Sequence, residues 1–382
     1  MPTVLLSCGE ASGDLYGGAL VEQLTALDPS VRALGFGGPR LQSAGATLVG
    51  DYRGLAVTGI VEVLRVLPRS LAMYRALLRT ARAERPDVFV AIDFPDFNFR
   101  VASAMRRLAI PVVYYVAPQL WAWRSGRMRT LQRLADRILV IFPFEPEIYR
   151  AAGASATFVG HPLVDLVPVT AARAPFLAGL GLDPGRPTVA LLPGSRPNEL
   201  RGILPRLMAA LPPLSAAVPG VQFVLARAPG LPDELVAPAA SGTVPVRVVE
   251  GRTDDVLATA DVAITASGTA TVQAALHGCP MVIVYHVFPL SYAIGKRFVR
   301  VDTYGMVNLV AGERLAPELI QGDFTPDAVA RATTELLRDA ALRARTVAGL
   351  CEVRRRLGGG GANRRAADIV LEVARTAGAL SA

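Results

Sequence analysis

Two strand–loop–helix junctions in the second half of the chain carry the residue types that hold phosphate. TVALLPGSRPNEL runs from Thr188 to Leu200, and DVAITASGTATVQAALHGCP runs from Asp261 to Pro280. Each passes from a short apolar strand into a Gly/Ser/Thr loop and opens a helix. A helix start offers unpaired backbone N–H groups and the positive end of the dipole, a natural seat for an anion. The first junction adds Arg196, whose planar, permanently charged fork can grip phosphate oxygens. Gly194, Ser195 and Arg196 on one loop, with Ser267, Gly268 and Thr269 on the other, make an expected seat for a nucleotide diphosphate.

The first half offers acid–base chemistry. DVFVAIDFPDFNFR ends an apolar strand in Asp93 and Asp96, and a carboxylate at a strand end is a candidate general base. Asp96 and Asn98 could orient a hydroxyl or only steady the loop; a capped turn is the plain alternative. SCGEASGDLYGG places Glu10, Ser12 and Asp14 at another strand end, where a simple strand-to-helix turn capped by Ser12 or Asp14 is again the alternative. YYVAPQLWAWRSGRMRTLQR holds both tryptophans, Trp121 and Trp123, followed by Arg124, Arg127, Arg129 and Arg133. Rings beside cations suit a sugar phosphate or lipid headgroup. The opposing reading packs one Trp in the core and leaves the arginines solvated. NAD binding is poorly supported, because no GxGxxG is present and Arg40 stands where the last glycine of GFGGPR would be. GxxxxGK[ST] is absent too. The three histidines, His161, His277 and His286, lack metal-ligand spacing, so no metal is expected.

These residues need strands to present them. Apolar runs at Thr3–Ser7, Val31–Phe36, Asp87–Ile92, Pro111–Val116, Arg137–Ile141 and Ala156–Val159 alternate with amphipathic segments. The second half repeats the pattern at Thr188–Leu192, Val221–Leu225, Val246–Val249, Val262–Thr265 and Met281–Tyr285. Such alternation predicts α/β architecture, with parallel sheets covered on both faces and ligands beyond the carboxyl ends of the strands. Two Rossmann-like domains facing across a cleft are expected. Their bounds are 1–165 and 166–345, with 346–382, which contains LGGGGANRRAADIVLEVA, as a helical segment crossing back.

The 382 residues are 52% hydrophobic, enough for two cores. Forty Lys and Arg against 32 Asp and Glu leave a formal net charge of +8. That balance suits an anionic partner; scattered arginines rank nucleic acid below a nucleotide or a phospholipid surface. Cys8, Cys279 and Cys351 suggest no disulfide framework, and a reducing cytosol follows. The start of the chain reads as a strand rather than a signal peptide, and no apolar run reaches membrane-span length. From Gly54 to Arg79 apolar side chains exceed one core-facing stripe: Val57, Ile60, Val61, Leu64, Val66, Leu67 and Leu71, with Arg65, Arg69, Arg75 and Arg79. An interfacial membrane segment and a helix buried between domains both fit.

GEASGD, GFGGPRLQSAG, VTGIVEVL, IDFPDFN, YYVAPQLWAWR, FPFEPEIY, FVGHPL, LLPGSRPNE, ASGTAT and NLVAG occur in that order. With them the chain resembles the lipid-A-disaccharide synthase family over essentially its whole length. The resemblance implies a two-domain glycosyltransferase of the GT-B type, with an acceptor domain first and a UDP-sugar domain second. UDP-2,3-diacylglucosamine would be joined to 2,3-diacylglucosamine 1-phosphate as a β-1′,6-linked disaccharide, with inversion, loss of UDP and no cofactor. Asp93 would be the base, with Glu10 and Ser12 beside it. Gly194, Ser195, Arg196, Glu199, Ser267, Gly268, Thr269, Gln273 and Asn308 would serve the UDP-sugar. Asp96, Asn98, Trp121, Trp123 and Arg124 would serve the acceptor and its lipid. The resemblance also implies a cytoplasmic protein, peripheral on the inner face of the cytoplasmic membrane, with room for a homodimer. Two positions depart from the family pattern. Gln273 stands in place of a Glu that can accept from both ribose hydroxyls, and Val307 in place of a Pro before Asn308. A UDP-N-acetylglucosamine 2-epimerase, a cell-wall N-acetylglucosaminyltransferase and a non-catalytic sugar-nucleotide-binding module are the competing readings.

Overall fold

The computed structural model describes residues 1–53, 60–123, 125–168, 170–286 and 303–381, with side chains 60–66, 122, 123, 125, 240 and 379–381 outside the description. The described residues of Met1–Leu166 and Leu357–Ala382 form one compact unit, and those of Val167–Arg356 a second. The helix Ala340–Arg356 thus belongs to the second unit, and the return to the first starts at Leu357 rather than at 346.

The first unit is built on β1 (Thr3–Cys8), β2 (Arg32–Gly37), β3 (Thr47–Asp51), β4 (Val88–Ile92), β5 (Val112–Tyr115), β6 (Arg137–Val140) and β7 (Thr157–Phe158). They form one sheet in the order β3-β2-β1-β4-β5-β6-β7, every pair parallel. The central strands are apolar and fully buried, VFVAI in β4 and VVYY in β5, because helices cover both faces. The second unit carries β8 (Thr188–Leu192), β9 (Gln222–Arg227), β10 (Val246–Glu250), β11 (Val262–Ala266), β12 (Met281–Tyr285) and β13 (Glu318–Ile320). Its sheet runs β10-β9-β8-β11-β12-β13, again all parallel. The fold class is therefore α/β with two parallel sheets, of seven and six strands.

In each sheet the strand order reverses once, between β1 and β4 and between β8 and β11. Successive connections leave toward opposite faces there, so a crevice opens at the carboxyl ends of the two strands. The sequence places GEASGD after β1, DFPDFN after β4, GSRPNE after β8 and SGTAT after β11. All four loops therefore emerge at the two reversal points.

The final helix, Ala362–Ser381, packs on Ala11–Leu27 within the first unit. The turn before it is pinned by Asp165, which accepts from the amides of Gly361 and Asn363 at 2.6 and 3.1 Å.

Candidate active site

At the end of β4 the chain makes an unusual turn. Asp93 and Phe94 lie in the left-handed region at φ +46° and +49°, and neither is glycine. Such residues cost about 1–3 kcal/mol each and persist only when their surroundings fix them. Here the fixing groups are named. Asn98 donates from Nδ2 to the carbonyls of Asp93, Ile92 and Ser7 at 2.8, 3.2 and 3.3 Å, and accepts from the Ser7 hydroxyl at 2.6 Å. The Tyr114 hydroxyl donates to the Asp93 carbonyl at 2.7 Å. Pro95 then opens the helix Pro95–Arg107. Asp93 is half-buried at this corner. Asn98 is fully buried and spends its amide on the turn beneath Asp93, which is the loop-steadying one of its two expected roles.

The β1 loop lies alongside. Gly9 has no room for a side chain, because a Cβ there would fall 2.1 Å from the Phe94 ring. Glu10 is the N-cap residue of Ala11–Leu27, and Ser12 is half-buried in its first turn. Asp14 does not cap its own helix. Its buried carboxylate accepts from the amides of Gly38, Arg40 and Leu41, holding the GFGGPR loop.

Asp96 points outward and pairs with Arg127 at 2.6 Å, and the Arg127 guanidinium lies 4.5 Å over the Phe99 ring. Trp121 is half-buried; its indole meets Phe144 edge-on at 5.2 Å and donates to Glu145 at 3.2 Å. The side chains of Trp123 and Arg124 lie outside the described residues, as do residues 54–59 and the side chains 60–66 of the apolar segment.

In the second unit the two helix starts differ. Gly194, at φ +118°, sits against Glu199, where a Cβ would be 2.4 Å from Oε2. That same oxygen accepts from the amides of Ser195 and Arg196 at 3.0 and 3.2 Å, and Oε1 pairs with the Arg196 guanidinium at 3.3 Å. A carboxylate at N3 satisfies a helix start as a phosphate would. Glu199 thus holds the amides after Gly194 that were expected to neutralise a diphosphate. The start of Thr269–Leu276 has no acidic residue in its first turn. Its first N–H groups lack intrahelical acceptors by geometry, and Gly268 and Thr269 are exposed. Ser267 donates to the Tyr304 carbonyl at 3.1 Å. Gln273, on the same helix, is half-buried.

Asn308 is turned inward. Its amide nitrogen donates to the Ala316 carbonyl and to Glu318, each at 2.8 Å, and its oxygen accepts from the Ala316 amide. Glu318 also takes the amides of Tyr304 and Gly305. Asn308 thus knots the loop on which its donor contact was expected, Val307 notwithstanding. Among the described residues no three His, Cys, Asp or Glu side chains gather as a metal site.

The family model for Lipid-A-disaccharide synthetase matches residues 4–373. The lipid-A-disaccharide synthase of Geobacter sulfurreducens is 45% identical over 372 residues, 97% of each chain. The chain belongs to the lipid-A-disaccharide synthase family. That of Myxococcus xanthus is 43% identical over 374 residues, again 97% of each chain. The activity is accordingly that of a lipid-A-disaccharide synthase, a glycosyltransferase of lipid A biosynthesis. The epimerase, cell-wall transferase and non-catalytic readings are set aside by this match over nearly the whole length.

Solved structures agree on the fold. The UDP-GlcNAc 2-epimerase from Neisseria meningitidis, bound to UDP-GlcNAc, superimposes with a TM-score of 0.71 at 12% identity, covering 97% of this chain and 100% of its own. The calicheamicin glycosyltransferase CalG4 gives 0.61 at 19% identity, covering 98% of both. The fold is of the GT-B kind.

Two residues of the chain escaped the sequence reading. Tyr285 ends β12; burial pushes its phenol pKa up, with the nearby Glu199 adding and Arg196 opposing, which sets it beside the first helix start. Glu145 is fully buried, and its carboxyl pKa is pushed up to about 7 by burial, against hydrogen bonds from Phe142, Trp121 and Ile141. In the sequence it lies inside FPFEPEIY, after an apolar strand, with nothing there to single out its carboxyl.

Proposed function

We propose that Asp93 is the general base of the transfer and that the second unit holds the UDP-sugar. The acceptor, 2,3-diacylglucosamine 1-phosphate, brings its 6-hydroxyl to Asp93. The carboxylate takes the proton as the oxygen attacks the anomeric carbon of UDP-2,3-diacylglucosamine. The bond to UDP breaks, and the β-1′,6 linkage forms with inversion. The observation that carries this reading is the turn after β4, where a dedicated network holds two non-glycine residues left-handed beside a carboxylate. Glu10 and Ser12, at the neighbouring end of β1, line the acceptor side.

UDP leaves with charge on its diphosphate. Preorganised donors stabilise such charge in the transition state. The helix start at Gly268 and Thr269 suits it better than the one Glu199 occupies. Arg196 meets the same charge by exchanging its pairing with Glu199 for phosphate oxygens, and Gln273 accepts from one ribose hydroxyl. Titration calorimetry tests the division of labour. Arg196→Ala should weaken UDP binding by roughly tenfold or more, the worth of a charge-assisted bond. Asp93→Ala should leave UDP affinity unchanged. Equal UDP affinity in wild type and Arg196→Ala moves the diphosphate elsewhere.

Acyl chains on both substrates call for a bilayer surface. Leu67 and Leu71 are 48% and 44% exposed, and Arg75, Arg79 and Arg82 line a groove of about 430 Å³ on the same helix with Ala72 and Leu78. Exposed leucines next to arginines favour shallow insertion into an anionic leaflet.

A further inference from the structure

Glu145 is a buried carboxylate at the site for which the chemistry above has no use. It opens the helix Glu145–Ala151, just past the end of β6. Its Oε2 accepts from the amides of Ile141 and Phe142 at 3.2 and 3.0 Å, and its Oε1 from the Trp121 indole at 3.2 Å. Rings surround this link: Trp121 is edge-on to Phe144, Phe144 stacks on Phe142 at 5.7 Å, and Phe142 meets His161 at 5.4 Å. A buried carboxylate among rings is costly unless hydrogen-bonded, and here three donors offset that cost. Two of them are the amides past the end of β6; the third is the indole of Trp121, a side chain on another element.

We propose that Glu145 is a positioning residue for the acceptor: it ties the indole of Trp121 to the end of β6, so that Trp121 presents a fixed surface to the acceptor sugar beside the Asp93 turn. The proposal rests on the reading of Trp121 as an acceptor contact. Glu145 accepts three hydrogen bonds and makes none of the moves of catalysis. Its effect reaches the substrate through one ring. The charged or titratable groups that face it are Asp93, whose negative charge opposes its ionisation, and Tyr149 on its own helix; His161 lies beyond Phe142. Protonation of Glu145 turns an acceptor toward a donor and loosens the strand-end amides, so the indole senses it.

Steady-state kinetics with the acceptor and the donor varied in turn, on the full-length protein, tests this. Glu145→Gln should raise the acceptor KM by roughly five- to tenfold, the range of a lost hydrogen bond to a charged group. The donor KM should stay within about twofold, because donor contacts are not altered. Trp121→Phe should raise the acceptor KM in the same way, and the double variant should add little further. Tryptophan emission supplies a second readout, since Trp121 is one of two tryptophans in the chain. Wild-type emission should change across a midpoint near 7 between about pH 5.5 and 8.5, and Glu145→Gln should be flat there. If Trp121→Phe raises the acceptor KM and Glu145→Gln does not, the proposal fails alone. If Trp121→Phe leaves the acceptor KM unchanged, the acceptor reading of Trp121 is what fails. Equal rises in both KM values with Glu145→Gln mean a structural role only. Should Glu145→Gln not fold, Glu145→Asp, which keeps the charge but shortens its reach to the indole, takes its place, and an unchanged acceptor KM in that variant overturns the link.

Discussion

Asp93 and Glu145 are carboxylates past the ends of β4 and β6, one strand apart, with different surroundings. Asp93 is half-buried on a turn whose carbonyl takes hydrogen bonds from Asn98 and Tyr114. Glu145 is sealed beneath the rings, and burial dominates its raised pKa. The stability consequence has a definite sign. An unfolded Glu ionises near pH 4.3, whereas folded Glu145 does so at about 7, so between these values the folded state binds the extra proton. Its contribution is fully present below the unfolded pKa and is lost as pH rises through the folded one. Gln cannot titrate. The difference in Tm, Glu145→Gln minus wild type, should therefore become more positive from pH 5 to pH 8, read by calorimetry at both values. A difference independent of pH would mean that Glu145 is not buried as a strained acid. Asp93 was legible because a carboxylate ended an apolar run. Glu145 was not, because its meaning depends on Trp121, which lies on another element. Asn308 and Glu199 stood out in the sequence, but not as residues that hold backbone amides, since hydrogen-bond partners are fixed only by the fold.

At the scale of elements, the strand-end turns explain both the successes and the misses. Eleven strands announce themselves as apolar runs because parallel sheets bury both faces of their central strands. β3 and β13 do not: like β7 and β10 they are partly buried sheet edges, but their sequences TLVGD and ELI lack the apolar run that marks those two. The left-handed pair at Asp93 and Phe94 was also invisible: Asp visits that backbone more readily than most residues, but Phe does not, and nothing local sets two such residues in a row. Asn98 carries this element. Asn98→Ala removes the donor shared by three carbonyls and strands the Ser7 hydroxyl. We expect a loss of about 1–3 kcal/mol in denaturant unfolding and a fall in turnover, with UDP affinity unchanged. Wild-type turnover in a folded Asn98→Ala protein would detach the turn geometry from catalysis.

For the whole molecule, charge and lipid chemistry meet. The net charge of +8 and the exposed Leu67 and Leu71 favour an anionic bilayer. No helix among the described residues is long and apolar enough to cross a membrane. Leu67→Ser with Leu71→Ser should lower co-sedimentation with anionic vesicles, more salt should lower it further, and UDP binding should persist. Full retention on vesicles would place the docking surface elsewhere. The account as a whole rests on Asp93. The most direct test is turnover of UDP-2,3-diacylglucosamine with 2,3-diacylglucosamine 1-phosphate by wild type and Asp93→Asn, following UDP and the disaccharide together. Asp93→Asn should fold and bind UDP normally yet lose ~10²–10⁴-fold in rate, the usual contribution of a general base. A rate within a few-fold of wild type, with both products formed, would contradict it.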